Sequence, residues 1–365
     1  MTDRTAAGLT GIAYCPEIDG LRALAAMCVL VGHLYWLEFG LAGSGVRLFF
    51  CISGYLITHI LLSAHASGAA TWDILRAFWA RRVLRIFPPY YLALLIALAL
   101  NAYDIRDTAW WHLTFTTNIL LALRGDWDPI ITGHLWSLAV EEQFYLLWPV
   151  GLLLALQWGR DPRAAGLLCA GLIALAITWN LALSEAQHAR EPGYGLLLVQ
   201  QLDALGAGAL LAWVEARGRL RRWWTVPVLA VVVTGLSMTV GLSAFLPGLA
   251  AKGLSGPLSC LSYAGLILFA RHGPRPLAGA LLGNRVLVWL GRRSYGIYLY
   301  HIYFAFGLFR PEQLRPGWAT LLVCGGVTIA AAALSWRFME QPLLKWKSRF
   351  AYVPPRGIAH APHAV

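Results

Sequence analysis

Arg22-Ala-Leu-Ala-Ala-Met-Cys-Val-Leu-Val-Gly-His33-Leu-Tyr-Trp-Leu-Glu-Phe39 opens a series of apolar runs whose reading decides the fold. It is close to the roughly 20 residues a helix needs to cross a hydrocarbon core. Comparable runs recur at 46–63, 86–103, 135–156, 165–183, 194–214, 224–246, 254–270, 294–309 and 317–336. Each is expected to be helical, because an isolated extended chain in lipid leaves its backbone polar groups unpaired. The composition agrees: 58% of the 365 residues are hydrophobic and 13% are charged, about half the charged share of a soluble domain. The sequence predicts an all-α, polytopic membrane bundle of about ten transmembrane helices over residues 1–350. A disordered Pro/Ala-rich tail is expected over 351–365.

The net charge of +11 does not point to nucleic acid. Its basic residues sit in short clusters between apolar runs, as cytoplasmic loops do. Residues 109–123 are apolar but short, so they either cross or lie as a re-entrant or interfacial helix. If they do not cross, the clusters at Arg76–Arg85, Arg160–Arg163, Arg217–Arg222, Arg271–Arg293 and Arg337–Arg349 all fall on one side, the cytoplasmic one. Only Arg47, Arg106, Arg124, Arg190, Lys252, Arg310 and Arg315 then lie outside. A crossing at 109–123 would invert every later loop, so ten crossings with both termini in the cytoplasm are expected. The first run follows a mixed segment with no obvious small-residue cleavage site and is expected to stay in the protein. The six cysteines are scattered, without metal-ligand or disulfide spacing, and no metal is expected.

Charged and titratable side chains inside such runs are costly and mark candidate sites. Arg22 and His33 are eleven residues apart, three helical turns plus about 20°, with about 16 Å of rise. They share one helix face, Arg22 at the mouth and His33 near mid-membrane. That suits a long ligand with an anionic head and a reactive end, or equally a snorkelling Arg and a packing His. In His134-Leu-Trp136-Ser-Leu-Ala-Val-Glu141-Glu142-Gln-Phe-Tyr145 two adjacent carboxylates project about 100° apart, so at least one faces the bundle. A carboxylate beside an imidazole can fix its tautomer for general-base work. Arg81, Arg82 and Arg85 line one flank of a helix end, as a phosphate site or as a topology anchor. Ser53 and Tyr55 follow Phe49-Phe50, and Ser294, Tyr298 and His301 recur at helical spacing.

With these residues in place the chain resembles the acyltransferase-3 family of bacterial membrane acyltransferases, which O-acylate cell-surface and secreted carbohydrates. Five patterns carry the resemblance, in order along nearly the whole chain: Arg22 with His33, Phe49 to Ile57, Arg81 to Pro88, Trp136 to Tyr145, and Ser294 to His301. The resemblance implies acyl-CoA as donor, with acetyl-CoA expected, and no permanently bound cofactor. It implies a histidine at the transfer centre and a carbohydrate or glycoconjugate acceptor presented across the bacterial inner membrane. On this reading His33, Glu141 and Glu142 are catalytic. Arg22, Arg81, Arg82 and Arg85 bind the donor, and Ser53, Tyr55, His134, Trp136, Tyr145, Tyr298 and His301 are candidate substrate contacts. Lipid is the surrounding partner, nucleic acid is not a partner, and the oligomeric state is left open. The chain is expected to match standalone members without a C-terminal hydrolase-like domain. Arg47 stands where some relatives carry an acidic residue, which leaves the acceptor side open. A multi-pass transporter or flippase of a glycan precursor, or a structural subunit of an export assembly, are the rival readings.

Overall fold

In the computed structural model, residues 14–35, 40–158, 163–183, 192–218, 249–308 and 315–352 are described. Among them every regular element is a helix. In chain order these are α1 (Pro16–Leu34), α2 (Leu41–Ala66), α3 (Thr71–Leu100), α4 (Ala109–Leu113), α5 (Thr117–Arg124), α6 (Trp136–Trp158), α7 (Arg163–Ala182) and α8 (Leu198–Ala216). There follow α9 (Leu249–His272), α10 (Arg275–Leu281), α11 (Arg285–Arg292), α12 (Ser294–Leu308) and α13 (Trp318–Ser335), which runs into a π turn at Trp336–Glu340. Six stretches are long and apolar enough to cross a membrane: Leu41–Ala66, Thr71–Leu100, Ile130–Gln157, Arg163–Ala182, Tyr194–Ala216 and Trp318–Arg349.

Helices also stand at three further expected crossings, α1, α9 and α12; α1 carries Glu17, Asp19 and Arg22 within its 19 residues. α12 has 15 residues and spans only about 22 Å. The expected crossing at 224–246, the Arg219–Arg222 cluster, Arg160, Arg190, Arg310 and the tail from Val353 lie outside the described residues. The third helix corrects the sequence reading. It begins at Thr71 rather than 86 and carries Pro88 and Pro89 inside it. Arg81, Arg82 and Arg85 are therefore mid-helix, not at a helix end. The segment Thr71–Arg85 is helical but too polar to be found by its hydropathy.

Residues 109–123 do not form one helix. The chain breaks at Phe115, whose φ is 55°, and the resulting short pieces are tied back to α3. Tyr90 and Tyr91 donate to the carbonyls of His112 and Leu113 at 2.8 and 2.9 Å. The Phe115 ring stacks on Tyr90 with centroids 4.3 Å apart. Backbone away from a helix ladder is tolerated at membrane depth where protein supplies its partners.

The bundle is drawn together where small residues let backbones touch. A Cβ on Gly54 would sit 2.0 Å from the Leu205 carbonyl oxygen, and one on Gly208 would sit 2.0 Å from that of Cys51. α2 and α8 are thus in direct backbone contact, the packing mode of helices that lack a hydrophobic driving force between them. An ion pair fixes the same helices farther along. Arg47 donates to Asp203 at 2.7 Å, and Asp203 is buried. Arg47, placed by the sequence reading at the outer mouth, is half-buried and serves as an interhelical tie. Buried charges persist only when partnered in this way.

Candidate active site

A cavity of about 700 Å³, counted to its mouth, lies between α1, α2, α3, α6 and α12. Each helix offers it one stripe at three- to four-residue spacing. α1 gives Arg22, α2 gives Phe49 and Ser53, and α3 gives Arg82, Arg85 and Ile86. α6 gives Ser137, Glu141 and Tyr145, while α12 gives Ser294, Tyr295 and Tyr298. The polar residues on its wall are ordered: Tyr145 donates to Ser53 at 3.0 Å, and Ser53 donates to a Glu141 carboxylate oxygen at 2.7 Å. Ser294 is fully buried and its hydroxyl has no partner.

The cations of this cavity lack direct partners among the described residues. Arg22, Arg82 and Arg85 all line it, and among the described residues none donates a hydrogen bond to a protein acceptor. Arg82 only lies over the rings of Phe78 and Tyr145, at 5.4 and 5.1 Å. Lys347 faces the same cluster. The carboxylates in its field are Glu141, Glu142, Asp19 and the buried Glu340, the last accepting from Ser335 at 3.0 Å. Guanidinium groups turned toward a cavity without acceptors of their own make a site for an anion.

A second cluster stands about three turns beyond Arg22 on α1 and one turn beyond Tyr298 on α12. His33 does not line the cavity. Its Nδ1 lies 3.1 Å from the Val29 carbonyl oxygen and 3.2 Å from Nε2 of His301. His301 is fully buried, with Nδ1 2.5 Å from the Tyr298 carbonyl oxygen. The rings of His33 and His134 are each centred 5.1 Å from that of His301. His134 meets the Leu299 carbonyl oxygen through Nε2 at 2.9 Å. Tyr298 belongs to both clusters: its ring lines the cavity, while its hydroxyl bonds Ser137 and the His134 carbonyl oxygen.

Several predicted site residues sit elsewhere. The carboxylate expected to orient His33 is absent from its side: Glu141 is engaged by Ser53, and Glu142, about 100° round the helix, keeps a buried oxygen without a partner. Histidine, not carboxylate, is the neighbour of His33. Arg81 turns away from the cavity, donating to the Phe350 carbonyl oxygen at 3.4 Å and lying 4.7 Å over the Tyr352 ring. On a helix Arg85 lies between Arg81 and Arg82 in angle, so the cavity takes two of the three and the C-terminal segment takes the outlying one. Tyr55 is about 200° round α2 from Ser53, and its hydroxyl bonds Glu215 in a network with Arg271 and His272. Trp136 packs edge-on against Phe50, 6.0 Å between centroids. Ser137 and Tyr295 line the cavity without having been singled out; both sit inside the quoted motifs, and hydroxyls at helical spacing were the available signal.

A family model described as an acyltransferase domain matches residues 16–337. The chain is similar to the peptidoglycan O-acetyltransferase OatA of Listeria monocytogenes, 31% identical over 91% of this chain and 56% of that protein. It is similar also to YrhL of Bacillus subtilis, whose name proposes the same activity, at 30% identity over 90% of this chain and 55% of that protein. The chain thus spans little more than half the length of these relatives. No solved structure matches it.

Proposed function

From the premise that this chain belongs to the acyltransferase family matched over residues 16–337, we propose that it is a membrane O-acetyltransferase. It takes the acetyl group of acetyl-CoA and esterifies a carbohydrate hydroxyl, with cell-wall glycan the acceptor class suggested by the names of its relatives. The observation that carries this reading is the cavity with three guanidinium groups that, among the described residues, have no hydrogen-bonded protein acceptor. Coenzyme A brings the missing anions as phosphates. The clustered loop cations support placing this end of the bundle, with both termini, toward the cytoplasm, where coenzyme A is made.

Arg22, Arg82 and Arg85 hold the phosphates on this reading. The pantetheine arm then passes Phe49 and Tyr298 toward His33, a rise of about 16 Å along α1 from Arg22. His33 takes the proton of the acceptor hydroxyl while that oxygen attacks the thioester carbonyl. The carbon–sulfur bond breaks, coenzyme A leaves as thiolate and is protonated to the thiol, and a carboxylate ester remains on the sugar. A positioned general base contributes typically 10²- to 10⁴-fold.

Thiol release from acetyl-CoA by the purified protein, with a muropeptide or oligosaccharide acceptor, tests the proposal. Wild type should release thiol in step with ester formation, and His33→Ala should lower the rate by about 10²-fold or more. Turnover of His33→Ala near the wild-type rate would remove His33 from the centre.

A further inference from the structure

Three ring nitrogens in the histidine cluster face backbone carbonyl oxygens, and a carbonyl only accepts. Each of those nitrogens therefore carries hydrogen. His301 faces the Tyr298 carbonyl oxygen through Nδ1 at 2.5 Å, so in a neutral ring its Nε2 is a bare lone pair. That lone pair is 3.2 Å from Nδ1 of His33. His33 Nδ1 in turn faces the Val29 carbonyl oxygen at 3.1 Å, so it too bears hydrogen. The Val29 oxygen is the poorer of its two acceptors, because it lies four residues back and already closes a helical turn with the His33 backbone N–H. His33 Nε2 then carries a lone pair, has no protein partner among the described residues and is not sealed off, since His33 is only part-buried.

We propose that His301 is the positioning residue of the transfer centre: its Nε2 accepts from His33 Nδ1, fixes the tautomer that leaves His33 Nε2 free as the base, and stabilises by that hydrogen bond the charge His33 gains when it is protonated. This rests on the acyltransferase reading above. During transfer the acceptor's O–H proton moves to His33 Nε2. The resulting imidazolium keeps its Nδ1–H on His301 Nε2, and what was a neutral hydrogen bond becomes a charge-assisted one. His301 is held ready for this from two sides. Tyr298 keeps its hydrogen on the far nitrogen, and the His33 ring beside it, with the His134 ring also 5.1 Å away, opposes a second charge at so short a range. Among the described residues no carboxylate bonds His33 or His301, and Glu141 is engaged by Ser53.

The test uses the full-length protein and thiol release from acetyl-CoA with saturating acceptor. His301→Leu removes the acceptor atom, while His301→Gln restores an amide oxygen at a similar reach. Loss of one charge-assisted hydrogen bond predicts a kcat about 10- to 100-fold lower for His301→Leu. KM for acetyl-CoA should stay within about twofold, because the phosphate site is untouched, and His301→Gln should recover most of the loss. A purely structural role would move KM or folding, and would not separate Leu from Gln. A His301→Leu kcat within twofold of wild type overturns the proposal, as does an equal loss in both variants at unchanged thermal midpoint. If His301→Leu does not fold, His301→Gln decides: folded with kcat within about fivefold of wild type supports the role, and folded but inactive overturns it. Absence of thiol release from wild type instead strikes the acyltransferase reading itself, while its persistence in His33→Ala removes His33 from the centre and overturns the role of His301 with it.

Discussion

Replacing Arg85 by methionine should separate ligand binding from fold stability. Among the described residues the guanidinium has no hydrogen-bonded acceptor, and the like charges of Arg22 and Arg82 press on it against the carboxylates of Glu340 and Asp19. Removing it strips no buried group of a hydrogen-bond partner, so the unfolding free energy should change by less than about 1 kcal/mol. The cost falls on the anion. One charge-assisted hydrogen bond to a phosphate is worth about 1.5–3 kcal/mol, and at about 1.4 kcal/mol per decade coenzyme A should bind roughly 10- to 150-fold more weakly. Arg47→Met is the matched contrast, since it leaves the buried Asp203 carboxylate, now 2.7 Å from its cation, without a charge partner. Such losses cost about 3–5 kcal/mol, with coenzyme A affinity unchanged in whatever fraction still folds. Calorimetric titration of coenzyme A at fixed ionic strength, beside thermal unfolding in the same detergent, reads both quantities. If Arg85→Met destabilises as much as Arg47→Met and leaves coenzyme A affinity intact, the reasoning from unpaired arginines is wrong.

Gly208→Ala would place a methyl 2.0 Å from the Cys51 carbonyl oxygen, forcing α2 and α8 apart at a cost of about 1–3 kcal/mol or more. Gly43→Ala, which meets nothing within 4 Å, should be silent in the same thermal assay. His112 lies outside the crossing stretches, buried among Thr108, Thr117 and Thr132, and burial lowers its pKa to about 4. Its folded pKa is below the unfolded value near 6.5, so the unfolded chain gains the proton first. Stability should therefore fall as pH drops from about 6.5 to about 4, by up to roughly 3 kcal/mol. Midpoints measured across that range in wild type and His112→Gln should show the decline flattened in the variant. Ser53→Ala leaves the Tyr145 hydroxyl and the Glu141 carboxylate each a partner short, and should lower the unfolding free energy by about 1–3 kcal/mol.

What the sequence made legible followed from local periodicity. Eleven residues on one helix put Arg22 and His33 on a common face, and that needs no knowledge of any other helix. The stripes Arg82/Arg85 and Ser294/Tyr298 follow from the same arithmetic. What it hid depends on packing between distant segments. The partner of His33 is His301, 268 positions away, and only the close approach of α1 and α12 brings them together. The adjacent carboxylates Glu141 and Glu142 announced that one must face inward, yet helical angles alone do not say whether it meets His33 or Ser53. Arg47, read as a cation at the outer mouth, has a partner on α8 that no local pattern announces.

The pairing of charges separates the parts of this bundle that hold the fold from the part that holds a ligand. Arg47 has Asp203, and Glu215 is held by Tyr55, Arg271 and His272. In both places a charge inside the bundle is met by its opposite, as desolvation requires. Around the cavity, Arg22, Arg82 and Arg85 have carboxylates in their field but, among the described residues, none in hydrogen-bonded contact. Their mutual repulsion is a standing cost to the empty protein, and a polyanion entering the cavity would relieve it. A simple anion would meet that need but would leave His33 unused, about three helical turns from Arg22. A ligand that answers both observations must carry its negative charge at one end and its reactive carbon at the other, with a flexible arm of about that length between them. Acetyl-CoA has that form, whereas a transported glycan precursor with its charge beside the sugar would leave the histidine cluster without a task.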